Sequence, residues 1–133
     1  MKKVMFGMLG LSGLLLLIMS FRSVDQQATP WIVPDKYKTM KSPVTLDKAA
    51  AAALYSTHCK SCHGKSGLGD GTKAAQLNTP AGDFSTAAFQ KQTDGSLFYK
   101  ISEGRDDMPS FKKKIPDQND IWQVALYLRT FAK

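Results

Sequence analysis

The stretch Cys59–His63, with the sequence CKSCH, decides the fold expected for this chain of 133 residues. Two cysteines separated by two residues and followed at once by a histidine form the C-x-x-C-H pattern of covalent haem c attachment. In such a site the two thiols form thioethers with the haem vinyl groups, and the adjacent imidazole becomes an axial ligand of the iron. The pattern predicts one covalently attached haem c, bound through Cys59 and Cys62, with His63 as the proximal iron ligand.

Three other uses of a closely spaced cysteine pair fit this sequence less well. A thioredoxin-like redox pair needs a βαβ context, and no run of period-two alternation follows residue 43. A disulfide between Cys59 and Cys62 would close a very short loop and add little stability. A zinc site needs four ligands around a tetrahedron, but the available donors, His58, Cys59, Cys62 and His63, are crowded into one short segment.

The distal iron ligand is predicted to be Met108. Of the 6 methionines only Met108 follows the attachment motif, since Met40 lies upstream and the others lie within residues 1–23. Met108 sits in a loop sequence between two predicted helices, where Pro109 stiffens the chain. His58 is too close to Cys59 to reach the opposite face of a haem. The alternative role for Met108 is that of an adaptable side chain filling a gap in the core.

Residues 1–23 are predicted to be a signal peptide or a membrane anchor rather than part of the folded domain. Lys2 and Lys3 precede an apolar run, and no residue from Val4 to Phe21 carries a charge. This run exceeds a typical signal h-region and reaches the lower limit for a membrane-spanning helix. Because no A-x-A-like cleavage site follows, we favour an uncleaved anchor formed by residues 4–21, with a cleaved signal peptide as the alternative.

Residues 24–43 are predicted to be an extended, proline-containing tether. Proline lacks a backbone donor and disfavours helical conformation in the residue before it. The apolar side chains Trp31, Ile32 and Tyr37 are unusual for a free linker. Two explanations remain open: they pack across the domain surface, or they lie near a lipid interface, where Trp and Tyr are enriched.

Residues 44–133 are predicted to form an all-α domain. Helix-capping residues stand before three apolar periodic segments: Thr45 or Asp47, Thr93 or Asp94, and the segment 117–120. Gly104 is expected to end the second helix. The glycine-punctuated segment 64–84 is expected to be a loop. So much loop in a small domain leaves a thin protein core, which a large apolar prosthetic group would fill.

These features together resemble a monohaem class I c-type cytochrome over residues 46–133. The matching pieces, besides the attachment motif, are Leu54-Tyr55, Gly67–Gly71, Met108-Pro109 and Ile121–Arg129. The resemblance implies a cytochrome c-like domain of three to five helices wrapped around one haem, preceded here by an N-terminal apolar helix. It also implies that the first and last helices cross near the attachment site, at Ala51 and Tyr127, with Ala in place of the usual Gly. It further implies that a loop carbonyl, for which Pro80 is the candidate, fixes the imidazole.

The predicted function is that of a single-electron carrier with His63 and Met108 as axial ligands. Methionine ligation raises the haem potential, and a filled sixth position leaves no place for a substrate, so the chain is not expected to be an enzyme. Two alternatives stay open. A labile Met108 would free the iron to reduce peroxide or bind nitric oxide or carbon monoxide, and the domain could also be a permanent subunit of a larger oxidoreductase.

The charge balance bears on partners and location. The formal net charge is +7, and because Lys2, Lys3 and Arg22 are the only charged residues of 1–23, residues 24–133 carry about +4. This balance favours redox proteins or a membrane respiratory complex with an acidic docking surface, although ordinary solubilising charge explains it equally well. No dense basic stripe indicates nucleic-acid binding. The expected location is the periplasmic side of the cytoplasmic membrane, through export or anchoring.

Overall fold

The computed structural model describes residues 30–133, which form helices and connecting loops. The α-helices are α1 Asp35–Lys38, α2 Lys48–His58, α3 Lys60–His63, α4 Ala87–Gln90, α5 Asp94–Glu103 and α6 Gln118–Tyr127, and 3₁₀ turns occur at Ala74–Gln76 and Leu128–Phe131. Across residues 30–133 the only strand-like feature is an isolated bridge between Arg105 and Met108. The predicted all-α fold is therefore confirmed. The predicted N-terminal apolar helix lies outside the described residues.

The capping residues decide where the three longest helices begin. The Asp47 carboxylate accepts hydrogen bonds from the N–H groups of Ala49 and Ala50, so Asp47 and not Thr45 caps α2. Thr93 caps α5 by accepting from Ser96 N–H. Asp117 caps α6 by accepting from Asn119 N–H. Each cap satisfies donors that a helix start would otherwise leave unpaired, and each typically contributes about 1 kcal/mol.

The core forms where α2 and α5 pack against α6. Ala51 of α2 is fully buried, and the rings of Tyr55 and Tyr127 lie 5.4 Å apart between α2 and α6. On the other side of α6, Phe98 stacks on Trp122 with ring centroids 4.3 Å apart. The tyrosine pair thus joins the first long helix to the last, and the resemblance implied that these two helices pack together.

Two polar side chains join elements that are distant in sequence. Gln123 of α6 accepts a hydrogen bond from Asp47 N–H at 2.8 Å and donates one to the Thr45 carbonyl at 2.9 Å. Arg129, just after α6, donates to the Asp94 carboxylate and to the Gln92 carbonyl. These contacts fix the start of α2 and the start of α5 relative to α6.

The segment upstream of the domain packs on α5. Residues 31–40, which we call the strap, contain α1, whose start at Asp35 suits the fixed φ of Pro34. Val33 is buried, and the Tyr37 ring lies 4.7 Å from Tyr99 and 6.4 Å from Phe98. Packing across the domain surface therefore accounts for Trp31 and Tyr37, whereas Ile32 is 85% exposed. The extended conformation predicted for this segment is interrupted by α1.

Within residues 30–133, no helix is long and apolar enough to cross a membrane. The predicted loop 64–84 is irregular apart from the short turn Ala74–Gln76. Helix α4 was not expected from the sequence. It is only one turn long, and Thr86 caps it by accepting a hydrogen bond from Phe89 N–H.

Candidate functional site

The attachment motif occupies the junction between α2 and α3. Helix α2 ends at His58, Cys59 adopts φ −118°, and α3 then runs from Lys60 to His63. The N–H groups of Cys62 and His63 both donate to the Cys59 carbonyl, at 3.1 and 3.0 Å. This single tight turn brings Cys59, Cys62 and His63 together, as the spacing of the motif predicts.

The loop after the motif pairs with the carbonyls of α3. Gly69 N–H donates to His63 O at 2.9 Å, Gly71 N–H to Cys62 O at 3.1 Å, and Lys73 N–H to Ser61 O at 2.8 Å. These bonds satisfy the carbonyls that a helix end leaves unpaired. Gly71 is required here, because a Cβ atom at this position would overlap the backbone of Ser61 and Cys62.

Helix α2 also fixes the end of α3 directly. The hydroxyl of Tyr55 donates to the Gly64 carbonyl at 2.8 Å. Gly64 ends α3 with φ +82°, a conformation that favours glycine. The position of His63 is thus determined by α2 from one side and by the following loop from the other.

Met108 is presented by a tight turn between α5 and α6. Arg105 and Met108 exchange backbone hydrogen bonds of 2.8 and 2.9 Å, and Asp106 within the turn adopts φ 51°, which Asp tolerates better than most residues. The Asp107 carboxylate accepts a hydrogen bond from Thr79 N–H at 2.9 Å and one from the Asn78 amide at 3.2 Å. This contact, which sequence reasoning missed, joins the Met108 turn to the loop following the attachment motif.

One cavity, of about 280 Å³, is lined by all four predicted haem residues, Cys59, Cys62, His63 and Met108. Its other walls are mainly apolar, formed by Leu77, Phe84, Leu97, Ile101, Phe111 and Leu128 among others. His58 also lines the cavity, with its ring 6.0 Å from that of Phe111. Apolar walls around four converging donor side chains suit a large, flat, mostly apolar group.

The His63 imidazole fits the role of an iron ligand. Burial lowers its pKa, and a contact with the Ala81 backbone opposes this only in part, so the ring is neutral at neutral pH with a lone pair available. Its Nδ1 is buried and has no protein partner of good hydrogen-bond geometry, so the Ala81 contact is a poor hydrogen bond. The resemblance implied that the Pro80 carbonyl contacts the imidazole. In the structure this backbone contact comes from the next residue, Ala81.

The environment of Cys59 does not favour redox exchange between the two thiols. Burial, and secondarily the neighbouring Cys62, raises the pKa of Cys59 to about 12. Redox-active cysteine pairs instead rely on a lowered pKa and a stable thiolate. The cysteines are not joined to each other in this structure. Among the described residues 30–133, no three His, Cys, Asp or Glu side chains converge as a metal cluster.

The cavity rim contains cations that sequence reasoning missed. Lys100 and Arg105 line the cavity and lie against the ring of Trp31, which comes from the strap. Only the unexpected tryptophan in a proline-containing segment indicated this arrangement, because Trp31 is far from Lys100 and Arg105 in the sequence.

An all-α fold with a cysteine pair, a histidine and a methionine around one apolar cavity defines the class of c-type cytochromes. The family model described as cytochrome c oxidase, cbb3-type, subunit III matches residues 47–128, and the chain belongs to this family. It is thus a cytochrome c domain of a family that carries covalent haem c and typically transfers electrons rather than catalysing reactions. A comparison with curated proteins finds no match.

Solved structures support the same fold. The KustC0563 c-type cytochrome is 29% identical with a TM-score of 0.55, and the match covers 62% of this chain and 98% of that one. A Kuenenia stuttgartiensis reducing HAO-like protein complex, Kustc0457/Kustc0458, matches at 22% identity and TM-score 0.60 over 71% of this chain and 50% of its own. Cytochrome c6 from the diatom Phaeodactylum tricornutum matches at 21% identity and TM-score 0.52, covering 65% and 94%. The last two likenesses concern the fold alone.

Proposed function

We propose that this chain is a single-electron carrier that holds one haem c through Cys59 and Cys62, with His63 and Met108 as the axial iron ligands. The observation that carries the proposal is the convergence of these four side chains on one cavity with apolar walls. The two cysteines and His63 lie in one turn of the chain, whereas Met108 lies in a separate turn beyond α5.

The protein contributes binding, orientation and a dry environment. When bound, haem c supplies an iron that alternates between Fe(III) and Fe(II), so that one electron is taken up and released. His63 supplies a neutral imidazole, and Met108 a soft thioether that favours the reduced state. Buried side chains such as Phe84 and Phe111 exclude water from the site, and a site closed on both faces passes electrons without binding a substrate.

Partner docking is proposed to involve exposed lysines near the attachment motif and the Met108 turn. Lys60 lies within the motif, Lys65 follows it, and both are exposed. Lys114 is exposed and lies 5.6 Å from the centre of the Phe111 ring, which lines the cavity. A positive surface near the site favours acidic redox partners and makes association sensitive to salt. The family description points to the respiratory chain as the source of such partners.

The domain organisation is proposed as follows: residues 1–23 direct export or anchor the protein, residues 24–43 join this segment to the domain, and residues 44–133 form the cytochrome domain. c-type cytochromes are extracytoplasmic, and an uncleaved apolar segment at residues 4–21 would hold the domain at the periplasmic face of the membrane.

The intact mass of the native protein and the spectra of two methionine variants test the proposal. The mass is expected to include one haem, and it also reports whether residues 1–23 are retained. The oxidised protein should show a sulfur-to-iron charge-transfer band that persists in Met40→Ala and disappears in Met108→Ala. A band that survives in the Met108→Ala variant would contradict the ligand assignment, and rapid carbon monoxide binding by the reduced wild type would contradict a closed site.

A second arrangement, favoured by the family description, is a permanent subunit of a larger oxidoreductase. In that case the electron-transfer chemistry stays the same and the partner is fixed. Co-purification with a membrane complex in mild detergent would support the subunit role, whereas recovery of the haem-loaded chain alone would favour a free or singly anchored carrier.

A further inference from the structure

Two cationic side chains share one tryptophan at the rim of the cavity. The Lys100 Nζ lies 5.4 Å and the Arg105 Cζ 4.7 Å from the centre of the Trp31 ring. All three residues line the same cavity as His63 and Met108. A guanidinium or ammonium near an aromatic ring is attracted by the negative face of the ring, so Trp31 stabilises both cations where they stand.

Of these two cations, Lys100 is the one without an ion pair among the described residues. Lys100 is partly buried; burial, and secondarily the Arg105 charge, lowers its pKa. Its Nζ donates to the Gln92 amide oxygen at 2.5 Å, and within the described part of the chain no ion pair includes Lys100. Lys100 therefore lies near a second cation with only a neutral amide oxygen as its hydrogen-bond acceptor.

The two acidic residues that line the cavity, Asp106 and Asp107, both have partners other than Lys100. Asp106 forms an ion pair with Arg105 at 3.2 Å, and its side chain is 57% exposed. Asp107 accepts hydrogen bonds from Asn78 and Thr79. The protein therefore supplies two cations toward the cavity without supplying Lys100 a carboxylate from its own lining.

The strap holds this arrangement in place. Close behind Trp31, Val33 is 7% exposed, and Tyr37 packs on Phe98 and Tyr99 of α5. The strap crosses α5 at Gly95, where a Cβ atom would overlap the Tyr37 carbonyl. Trp31 is thus fixed by the same helix that carries Lys100, which gives the tryptophan a defined position at the rim.

We propose that Lys100 and Arg105, supported by Trp31 as a positioning residue, bind a carboxylate group of the haem, so that the strap is part of the haem site. This inference rests on the haem site proposed above. A haem is apolar except for its iron and two carboxylates, and a carboxylate at the edge of an apolar cavity needs cationic partners. A carboxylate from a docking partner is the other source of the same chemistry.

Reduction potentials of haem-loaded variants test the inference. Lys100→Gln and Arg105→Gln each remove a positive charge and leave a haem carboxylate less neutralised, and both effects favour Fe(III). We expect the reduction equilibrium to shift toward Fe(III) by roughly three- to tenfold in each variant. Lys91→Gln, which removes an exposed charge away from the cavity lining, should shift it less than twofold. Trp31→Ala should shift it in the same direction, and Trp31→Phe should restore most of the wild-type value.

Infrared difference spectra between the oxidised and reduced states report on the haem carboxylates themselves. Their bands should move in Lys100→Gln and Arg105→Gln but not in Lys91→Gln. If the haem-loaded variants keep both the wild-type potentials and the wild-type carboxylate bands, this inference fails while the proposed function stands. The inference also fails if the bands are unchanged and the wild type binds polyglutamate that the Lys100 and Arg105 variants do not bind, since the carboxylate would then come from a partner. A native protein without haem would overturn this inference and the proposed function together.

Discussion

At the scale of single residues, Tyr55 connects the core to the attachment site. Its ring packs 5.1 Å from Phe131 in the core, and its hydroxyl donates to the Gly64 carbonyl, directly after His63. Burial is the main reason that the pKa of this hydroxyl is raised far above its ordinary value of 10.0, with the charges of Cys59, Tyr127 and Asp70 adding to the effect. The proton of the Tyr55 hydroxyl therefore contributes to the stability of the attachment site.

Tyr55→Phe is expected to change how stability depends on alkaline pH. Since the folded pKa is raised, the contribution of Tyr55 is complete below about pH 10 and is lost as pH rises above that value, at no more than about 1.4 kcal/mol per pH unit. The variant should lose about 1 kcal/mol at neutral pH, because the Gly64 carbonyl loses its donor, yet show a flatter decline above pH 10. Denaturant titrations between pH 7 and 11 measure both effects.

Thr57→Ala is the control, because it removes a hydroxyl from the same helix, one that donates to the Ala53 carbonyl at an exposed position and does not titrate between pH 7 and 11. It should keep the wild-type slope above pH 10. Equal alkaline slopes for wild type and Tyr55→Phe would show that Tyr55 does not keep its proton in the folded state.

At the scale of elements, the loop 67–73 acts as a support for α3. Its three N–H groups pair with the last carbonyls of that short helix. A four-residue helix has too few internal hydrogen bonds to be stable alone, so its geometry depends on this external pairing. The close approach of Gly71 to the Ser61 backbone is what allows the pairing.

Gly71→Ala should disturb the haem site through the backbone. The added methyl group meets a carbonyl and a peptide carbon rather than a mobile side chain, so the loop must move away from α3. We expect a loss of about 1–3 kcal/mol in the free energy of unfolding, as for other overpacked sites, together with a changed visible spectrum. Thr72→Ala, at an exposed position in the same loop, should stay within about 0.5 kcal/mol of wild type. Equal stabilities of the two variants would mean that the loop does not depend on close contact with α3.

Local signals explain why the main elements were predictable from the sequence. Asp47, Thr93, Asp117 and Gly104 act on chain segments within four residues of themselves, so their effects can be inferred without knowing the fold. The attachment motif is equally local. Other contacts join segments that only the tertiary structure brings together, and no periodicity or capping signal indicates them. They are the contacts of Trp31 with Lys100 and Arg105 and the hydrogen bonds that Asp107 accepts from the segment after the attachment motif.

At the scale of the whole molecule, the strap makes the upstream segment part of the domain surface. The sequence predicted a proline-containing tether here. In the structure this segment has a buried valine, an aromatic contact with α5 and a tryptophan at the cavity rim. Burial of Val33 and Tyr37 offsets the conformational entropy lost in ordering the strap. If residues 1–23 are retained as an anchor, the haem site would be held at a short distance from the membrane rather than on a free linker.

Gly95→Ala tests this organisation through the sign of its effect. Gly95 lies in the first turn of α5, where alanine is more favourable than glycine by up to about 1 kcal/mol, so the helix without a strap should be stabilised. Here a Cβ atom at position 95 would overlap the Tyr37 carbonyl and approach the Met40 Cβ to 2.8 Å, so the strap must lift away from α5. We expect the variant to be destabilised, or to gain trypsin cleavage at Lys36, Lys38 and Lys41 while the domain stays folded.

Ser56→Ala, on the exposed face of α2, provides the comparison, with a gain of a few tenths of a kcal/mol in stability and no new cleavage. A Gly95→Ala protein that is more stable than wild type and equally resistant to trypsin would show that the strap does not rest on α5. The strap could then not hold Trp31 at the haem site.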